Sequence, residues 1–263
     1  MTSTDTEPLY GLPEELVVTA DGPIRIVTLN RPDALNGATQ VLHQALAKVW
    51  TDIAEDAEAR VVILTANGSA FSAGGDFGYM QDNIDDAEMR RQTMLEARAI
   101  VRGIVRLPIP VIAAVNGPAV GLGCSIAVLS DLVLLSDKSF LADPHLRMGL
   151  VTGDGGMVWP LLTGLLRAKE YLFLGSKILP DKAVELGLAS RVVAAENLMA
   201  EALTLAHRLV KVPRAALRDT KLALNGYVEA QLENAFELAF TGEEASMGSP
   251  EHAAAVAAAR TKS

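Results

Sequence analysis

The chain has 263 residues, with 23 Lys and Arg against 32 Asp and Glu and a formal net charge of −9. Half of the residues are hydrophobic and only 5% are aromatic, which is ample for a large core and wrong for a disordered chain. The acidic balance argues against a nucleic-acid groove, which needs clustered Lys and Arg to displace counterions along phosphate. A lone cysteine, Cys124, excludes a disulfide framework and a multi-thiolate zinc site and implies a reducing compartment. The opening MTSTDTEPLYGL lacks the basic start and apolar run of a secretory signal, and no later stretch stays apolar for the length of a membrane span. A soluble cytoplasmic protein that binds neither nucleic acid nor membrane is expected.

Residues 1–14, with their Thr, Ser, Asp, Glu and Pro, read as a flexible lead-in. Short β-rich runs follow at 16–20, 24–30, 60–66, 111–115, 132–136 and 139–143, with helices between them. The segment 39–56 sets Leu42, Leu46, Val49, Trp50 and Ile53 on one side, as an amphipathic helix should. A second helix spans about 87–107 and is stopped by Pro108 and Pro110. The second half is mostly helix, at 167–175, 180–187, 198–211 and 213–225, with an Ala-rich tail from about Val228. That tail carries an apolar stripe, which a partner subunit or the protein's own active-site mouth is expected to cover. The pattern predicts an α/β core over residues 15–195 and a C-terminal helical region over 196–263.

Two strands end in glycine loops. The run at 60–66 leads into NGSAFSAGGDFGYM, where Gly74 and Gly75 precede Asp76. Consecutive glycines let a backbone approach a ligand and aim its amides at it, although an ordinary strand-to-helix turn capped by Asp76 has the same pattern. The run at 111–115 leads into NGPAVGLGCSIAVLSD, with Gly117, Gly121 and Gly123 opening an apolar helix whose first amides favour an anion. A dinucleotide fingerprint would need Gly or Ala where Ile126 stands. A serine-hydrolase elbow would place its nucleophile directly after the strand, whereas Ser125 lies ten residues past Val115.

The segments LNRPDALN (29–36), FSAGGDF (71–77), PVIAAVNGPAVGLG (110–123), the following Asp131 and GLVTGDGG (149–156) resemble the enoyl-CoA hydratase/isomerase (crotonase) superfamily. The resemblance covers about residues 15–225, in matching order and spacing. It implies a right-handed spiral of ββα turns, with C-terminal helices that assemble into trimers or pairs of trimers. It also implies an acyl-CoA substrate, with coenzyme A as part of that substrate rather than a resident cofactor. Carried over by position, the N–H groups of Gly75 and Leu122 form an oxyanion hole. Ser72, Ala73, Gly74, Asp76, Gly121 and Ser125 then belong to the substrate's path, and Arg31 and Lys221 are candidates for contacts with the CoA moiety.

A hydratase of this family uses two glutamates as acid and base, and the corresponding positions here hold Ser125 and His145. The loop FLADPHLRMGLVTGDGG (140–156) offers another pair, since its glycines allow Asp154 to return to His145, fix its tautomer and raise its basicity. This pair resembles that of the superfamily's carbon–carbon bond hydrolases acting on cyclic β-diketones such as 6-oxocamphor, although the SAGGD loop, absent from that subgroup, is intact here. His43, His207 and His252 are expected to be solvated, as are Glu243 and Glu244 in the tail. No metal is expected, because His145 has no second histidine or cysteine at ligand spacing. Three readings follow: an enoyl-CoA hydratase or isomerase, a retro-Claisen hydrolase of a diketone, and a catalytically weak CoA-binding member.

Overall fold

The computed structural model describes residues 8–261. In chain order the strands are β1 (Leu16–Asp21), β2 (Ile24–Leu29), β3 (Val61–Ala66), β4 (Val111–Val115), β5 (Ala119–Val120), β6 (Leu132–Ser136), β7 (Leu141–Ala142) and β8 (Arg191–Val193). The first-half helices are α1 (Gln40–Glu55), α2 (Phe77–Asp85), α3 (Ala87–Arg106) and α4 (Leu122–Val128). They are followed by α5 (Trp159–Thr163), α6 (Leu165–Leu174), α7 (Pro180–Leu186), α8 (Leu198–Val210), α9 (Arg214–Gln231), α10 (Glu237–Met247) and α11 (Pro250–Arg260).

The main sheet runs β1-β2-β3-β4-β6-β8, antiparallel between β1 and β2 and parallel thereafter. Strands β3 and β4 are buried at every position, as parallel strands covered on both faces must be. Alternate residues therefore feed two cores. Val62, Leu64, Ala113 and Val115 pack with α1 and α3, whereas Val61, Ile63, Ile112 and Ala114 pack with Leu198, Ala202 and Leu205 of α8. After each of these strands the chain lays a short segment on a second layer: Ala38 pairs with Gly75, Ser72 with Ala119, and β5 with β7. This repeated strand, short second-layer segment and helix is the spiral the sequence implies, and it brings both glycine loops to the same end of the sheet.

Several expectations shift in detail. The run at 139–143 keeps only two strand residues, Leu141 and Ala142. Helices α2 and α5 and strand β8 are additional, and α9 continues to Gln231 before a π-helical turn over Leu232–Phe236. The expected lead-in falls partly on residues 1–7, which lie outside the described residues. The rest of it is held: Leu9, Tyr10 and Leu12 pack on the core, Leu9 N donates to Val18 O at 2.8 Å, and the Tyr10 hydroxyl donates to Asp56 at 2.5 Å. The apolar side of the tail turns inward, with Phe236, Phe240 and Val256 buried within the chain itself.

Candidate active site

The first glycine loop is fixed from both sides. Gly74 takes a left-handed φ of 95°, its carbonyl accepts from Ala38 N at 2.8 Å, and Asp76 N donates to Ala38 O at 2.9 Å. Asp76 then caps α2 by accepting from Gly78 N at 2.8 Å. In the second loop Gly121, at φ 52°, turns the chain into α4. The loops are pressed together so closely that a Cβ on Gly123 would lie 2.6 Å from Ser72 Cβ. This close approach requires glycine. Among the described residues, neither Gly75 N–H nor Leu122 N–H donates within the chain. Both residues line one cavity of about 230 Å³, together with Ala73, Gly74 and Gly121.

His145, Asp154 and Glu243 line the same cavity. His145 begins the 3-10 turn after β7, Asp154 precedes the turn at Gly155–Val158, and Glu243 comes from α10. The expected His145–Asp154 hydrogen bond is replaced by another partner. His145 Nδ1 donates to Asp143 Oδ1 at 2.5 Å, because the Asp-Pro-His turn bends back on itself, and Asp143 also accepts from His145 N at 3.2 Å. Asp154 stays close: ligand atoms of Asp143, His145 and Asp154 all lie within 4.8 Å of one another. His145 Nε2 is 3.5 Å from Glu243 Oε1. These three residues offer a metal's donor types, with His145 Nδ1 engaged by Asp143.

The field of this cluster divides its members. Burial drives the His145 ring towards neutrality, but the charges of Asp143 and Asp154 and the Asp143 hydrogen bond overcome it and hold the ring's pKa well above 6.5. The cluster thus favours the charged form of His145, rather than the free base the sequence suggested. Burial also opposes ionisation of Asp143, yet the imidazolium and its hydrogen bonds keep that carboxylate below its ordinary range. Asp154 is raised by burial, pulled back by His145 and pushed up again by Asp143. Glu243 is raised to about 8, first by burial, against the pull of His145 and with the repulsion of Asp154 and Asp143. Among the described residues, Glu243 Oε2 and Asp154 Oδ1 are buried with no hydrogen-bond partner.

Other expected residues fall elsewhere. Ser72 and Ser125 are buried behind the loops, where their hydroxyls donate to Asn36 O at 2.8 Å and Gly121 O at 3.2 Å. Arg31 is tied to Gly37 O and lies 3.6 Å from both Glu15 and Asp76, so it braces the first loop. Lys221 is not a surface charge for CoA: its ammonium is buried, 2.7 Å from Asp131 and donating to Ile109 O at 2.8 Å. That places it at a second cavity away from the glycine loops. Glu243 is 5% exposed rather than solvated, and His43 and His252 are buried on the wall of the main cavity. His207 is exposed, as expected, and Cys124 packs in the core. The missed Glu243 had a readable signal, because Phe240, Glu243 and Met247 share one helix face.

A family model described as enoyl-CoA hydratase/isomerase matches residues 19–252. The chain belongs to this family. A solved relative, an enoyl-CoA hydratase/isomerase from Mycobacterium paratuberculosis, is 44% identical and superposes with a TM-score of 0.92 over 95% of this chain and all of its own. The short-chain-enoyl-CoA hydratase of Clostridium acetobutylicum is 33% identical over 87% of each chain. The crotonyl-CoA hydratase of Syntrophomonas wolfei is 29% identical over 86% of each. Within the enoyl-CoA hydratase/isomerase fold, this chain thus presents two loop amides on one cavity with a cluster of one imidazole and three carboxyl groups.

Proposed function

We propose that the protein hydrates or isomerises an enoyl-CoA, holding the thioester oxygen on the N–H groups of Gly75 and Leu122. The observation that carries this reading is that these two unpaired donors share one cavity with Asp154 and Glu243, whose free oxygens also lack partners. Addition or proton movement at the α and β carbons passes through an enolate, and losing one oxyanion donor costs about 3 kcal/mol of barrier lowering. The two carboxyl groups supply the acid and base that Ser125 and His145 do not. Glu243, with its pKa near 8, is protonated at neutral pH and donates to the α carbon. Asp154 takes the proton from water, and the His145 cation stabilises its charge.

Crotonyl-CoA tests this by loss of its conjugated absorbance. Asp154→Asn is expected to lower kcat by about 10²- to 10⁴-fold with little change in KM. A variant with wild-type turnover would remove Asp154 from the mechanism. The closeness of His145 and Asp154, whose ligand atoms lie within 4.8 Å, keeps one second reading, retro-Claisen cleavage of a cyclic β-diketone by that pair, which resembles the pair of the 6-oxocamphor hydrolases. CoA-independent cleavage of such a diketone, abolished in His145→Ala, would establish it.

The same reading includes coenzyme A as part of the substrate and no resident cofactor. Two of the relatives are named for short-chain and crotonyl-CoA hydration, which supports a place in fatty acid metabolism. Among the described residues no helix is long and apolar enough to cross a membrane. The single thiol, Cys124, supports a reducing compartment such as the cytoplasm. A homotrimer or a dimer of trimers is the proposed assembly, supported by the exposed Leu165, Leu166 and Phe173 on α6.

A further inference from the structure

One wall of the main cavity is polar although no step of the proposed reaction uses it. His43 of α1, Tyr79 and Asn83 of α2 and Thr93 of α3 all line the cavity, and each is buried. Glu96, behind them on α3, accepts from His43 Nδ1 at 2.9 Å and from Gln92 Nε2 at 2.9 Å. Burial works against the Glu96 carboxylate, but His43 and Gln92 hold it ionised, so Nδ1 carries a proton and the ring cannot turn. The second ring nitrogen, Nε2, has no partner in the chain among the described residues.

The neighbouring hydroxyls form a directed chain. The Thr93 hydroxyl donates to Asn83 Oδ1 at 2.8 Å, which leaves its oxygen to accept from the Tyr79 hydroxyl at 2.6 Å. Asn83 Nδ2 in turn donates to Tyr79 O at 2.8 Å. The Tyr79 oxygen keeps a free lone pair, and its ring lies 5.8 Å from that of His43. A pocket for a plain hydrocarbon gains nothing from a buried imidazole, carboxylate and hydroxyl network, whose desolvation apolar side chains would avoid. Apolar side chains of the same elements, Phe77 and Met80 of α2 and Met94 and Ala97 of α3, line the cavity beside them.

Resting on the enoyl-CoA reading, we infer that His43 Nε2 and the Tyr79 hydroxyl form a subsite for an oxygen atom on the acyl chain, making an oxygenated acyl-CoA, hydroxylated or keto, the preferred substrate class. A neutral ring accepts from a substrate hydroxyl, and a protonated ring donates to a hydroxyl or a carbonyl. A site built around such a bond discriminates against the analogue lacking it, because its own polar groups are then left buried and unpaired. His43 is accordingly a specificity residue, and Glu96 positions it.

The test compares a straight-chain trans-enoyl-CoA with its chain-end hydroxyl and keto derivatives of equal length. Turnover is measured for these, and calorimetric binding for their saturated counterparts. The wild-type protein is expected to prefer at least one oxygenated chain by about tenfold or more in kcat/KM and in Kd. His43→Leu is expected to abolish that preference, and His43→Gln to keep part of it. Because each readout is a ratio on one preparation, partial loss of folded protein cancels. Equal handling of all the chains by the wild type would overturn the inference and leave the enoyl-CoA reading intact. Preferential binding of the oxygenated chains without turnover would support the subsite and overturn the proposed reaction. Failure to bind any of these thioesters would overturn both.

Discussion

The 2.5 Å bond from His145 Nδ1 to Asp143 sets the protonation of its surroundings, and through it the response to pH. His145 has a raised pKa, so its contribution to stability is complete below the ring's ordinary 6.5 and is lost as pH rises through the folded value. Asp143 has a lowered one, so its contribution is present above 3.8 and is lost as pH falls through the folded value. Glu243 keeps its proton in the folded protein between 4.5 and about 8, while the unfolded chain releases it, so stability again falls as pH rises across that window. Urea titrations from neutral to alkaline pH should show decreasing stability, and Glu243→Gln, which cannot ionise, should flatten the slope. In the proposed reaction the same proton is the one donated. The kcat/KM profile should therefore fall as pH rises through about 8, and Glu243→Gln should lose that limb together with most of the rate.

Packing between elements decides how closely the two glycine loops are held together. A methyl group on Gly123 would meet Ser72 Cβ at 2.6 Å and Ser72 O at 3.1 Å, so Gly123→Ala must separate the loops. Activity on an enoyl-CoA should fall by about 100-fold, since a displacement of about 1 Å is that costly, while the far-ultraviolet circular dichroism keeps its shape. Capping is more local: Thr39 Oγ1 accepts from Leu42 N at 3.1 Å at the start of α1, and Thr39→Ala should cost about 1 kcal/mol in urea unfolding. The elements most legible in the sequence were those where pattern and burial agree. Strands β3 and β4 are unbroken runs of Val, Ile, Leu and Ala bounded by loops, and α1 carries one clear apolar stripe. Strand β8 has three residues at the sheet's edge with none fully buried, and α2 buries only Tyr79 and Asn83, so neither leaves a periodic trace. The two glycine loops were legible because glycine spacing is local, whereas the choice of the Gly75 and Leu122 amides rested on the family resemblance. The partner of His145 was not, because Asp143 and Asp154 are both within reach of a flexible-looking loop and only the turn geometry chooses between them.

At the scale of the whole molecule, two kinds of surface tell opposite stories. Lys221 is sealed between α9 and the main sheet, where Asp131 both pairs with it and accepts from Val111 N at 2.7 Å. Removing only the carboxylate strands a buried ammonium, so Asp131→Ala should destabilise by about 3–5 kcal/mol, read as a lower midpoint in urea. On α6, by contrast, Leu166 is 81% and Phe173 62% exposed. Sedimentation should find a multimer, and Leu166→Glu combined with Phe173→Glu should shift it towards the single chain. The cavity has a further dependence on the far end of the polypeptide. Helix α10 brings Glu243, and α11 seats His252, whose Nδ1 donates to Met148 O at 2.7 Å beside the turn that carries His145. A chain ending at α9 would contain the residues of both glycine turns but neither Glu243 nor the side of the chamber that α10 and α11 supply. Competence for the proposed reaction therefore depends on the last stretch of the polypeptide being made and seated.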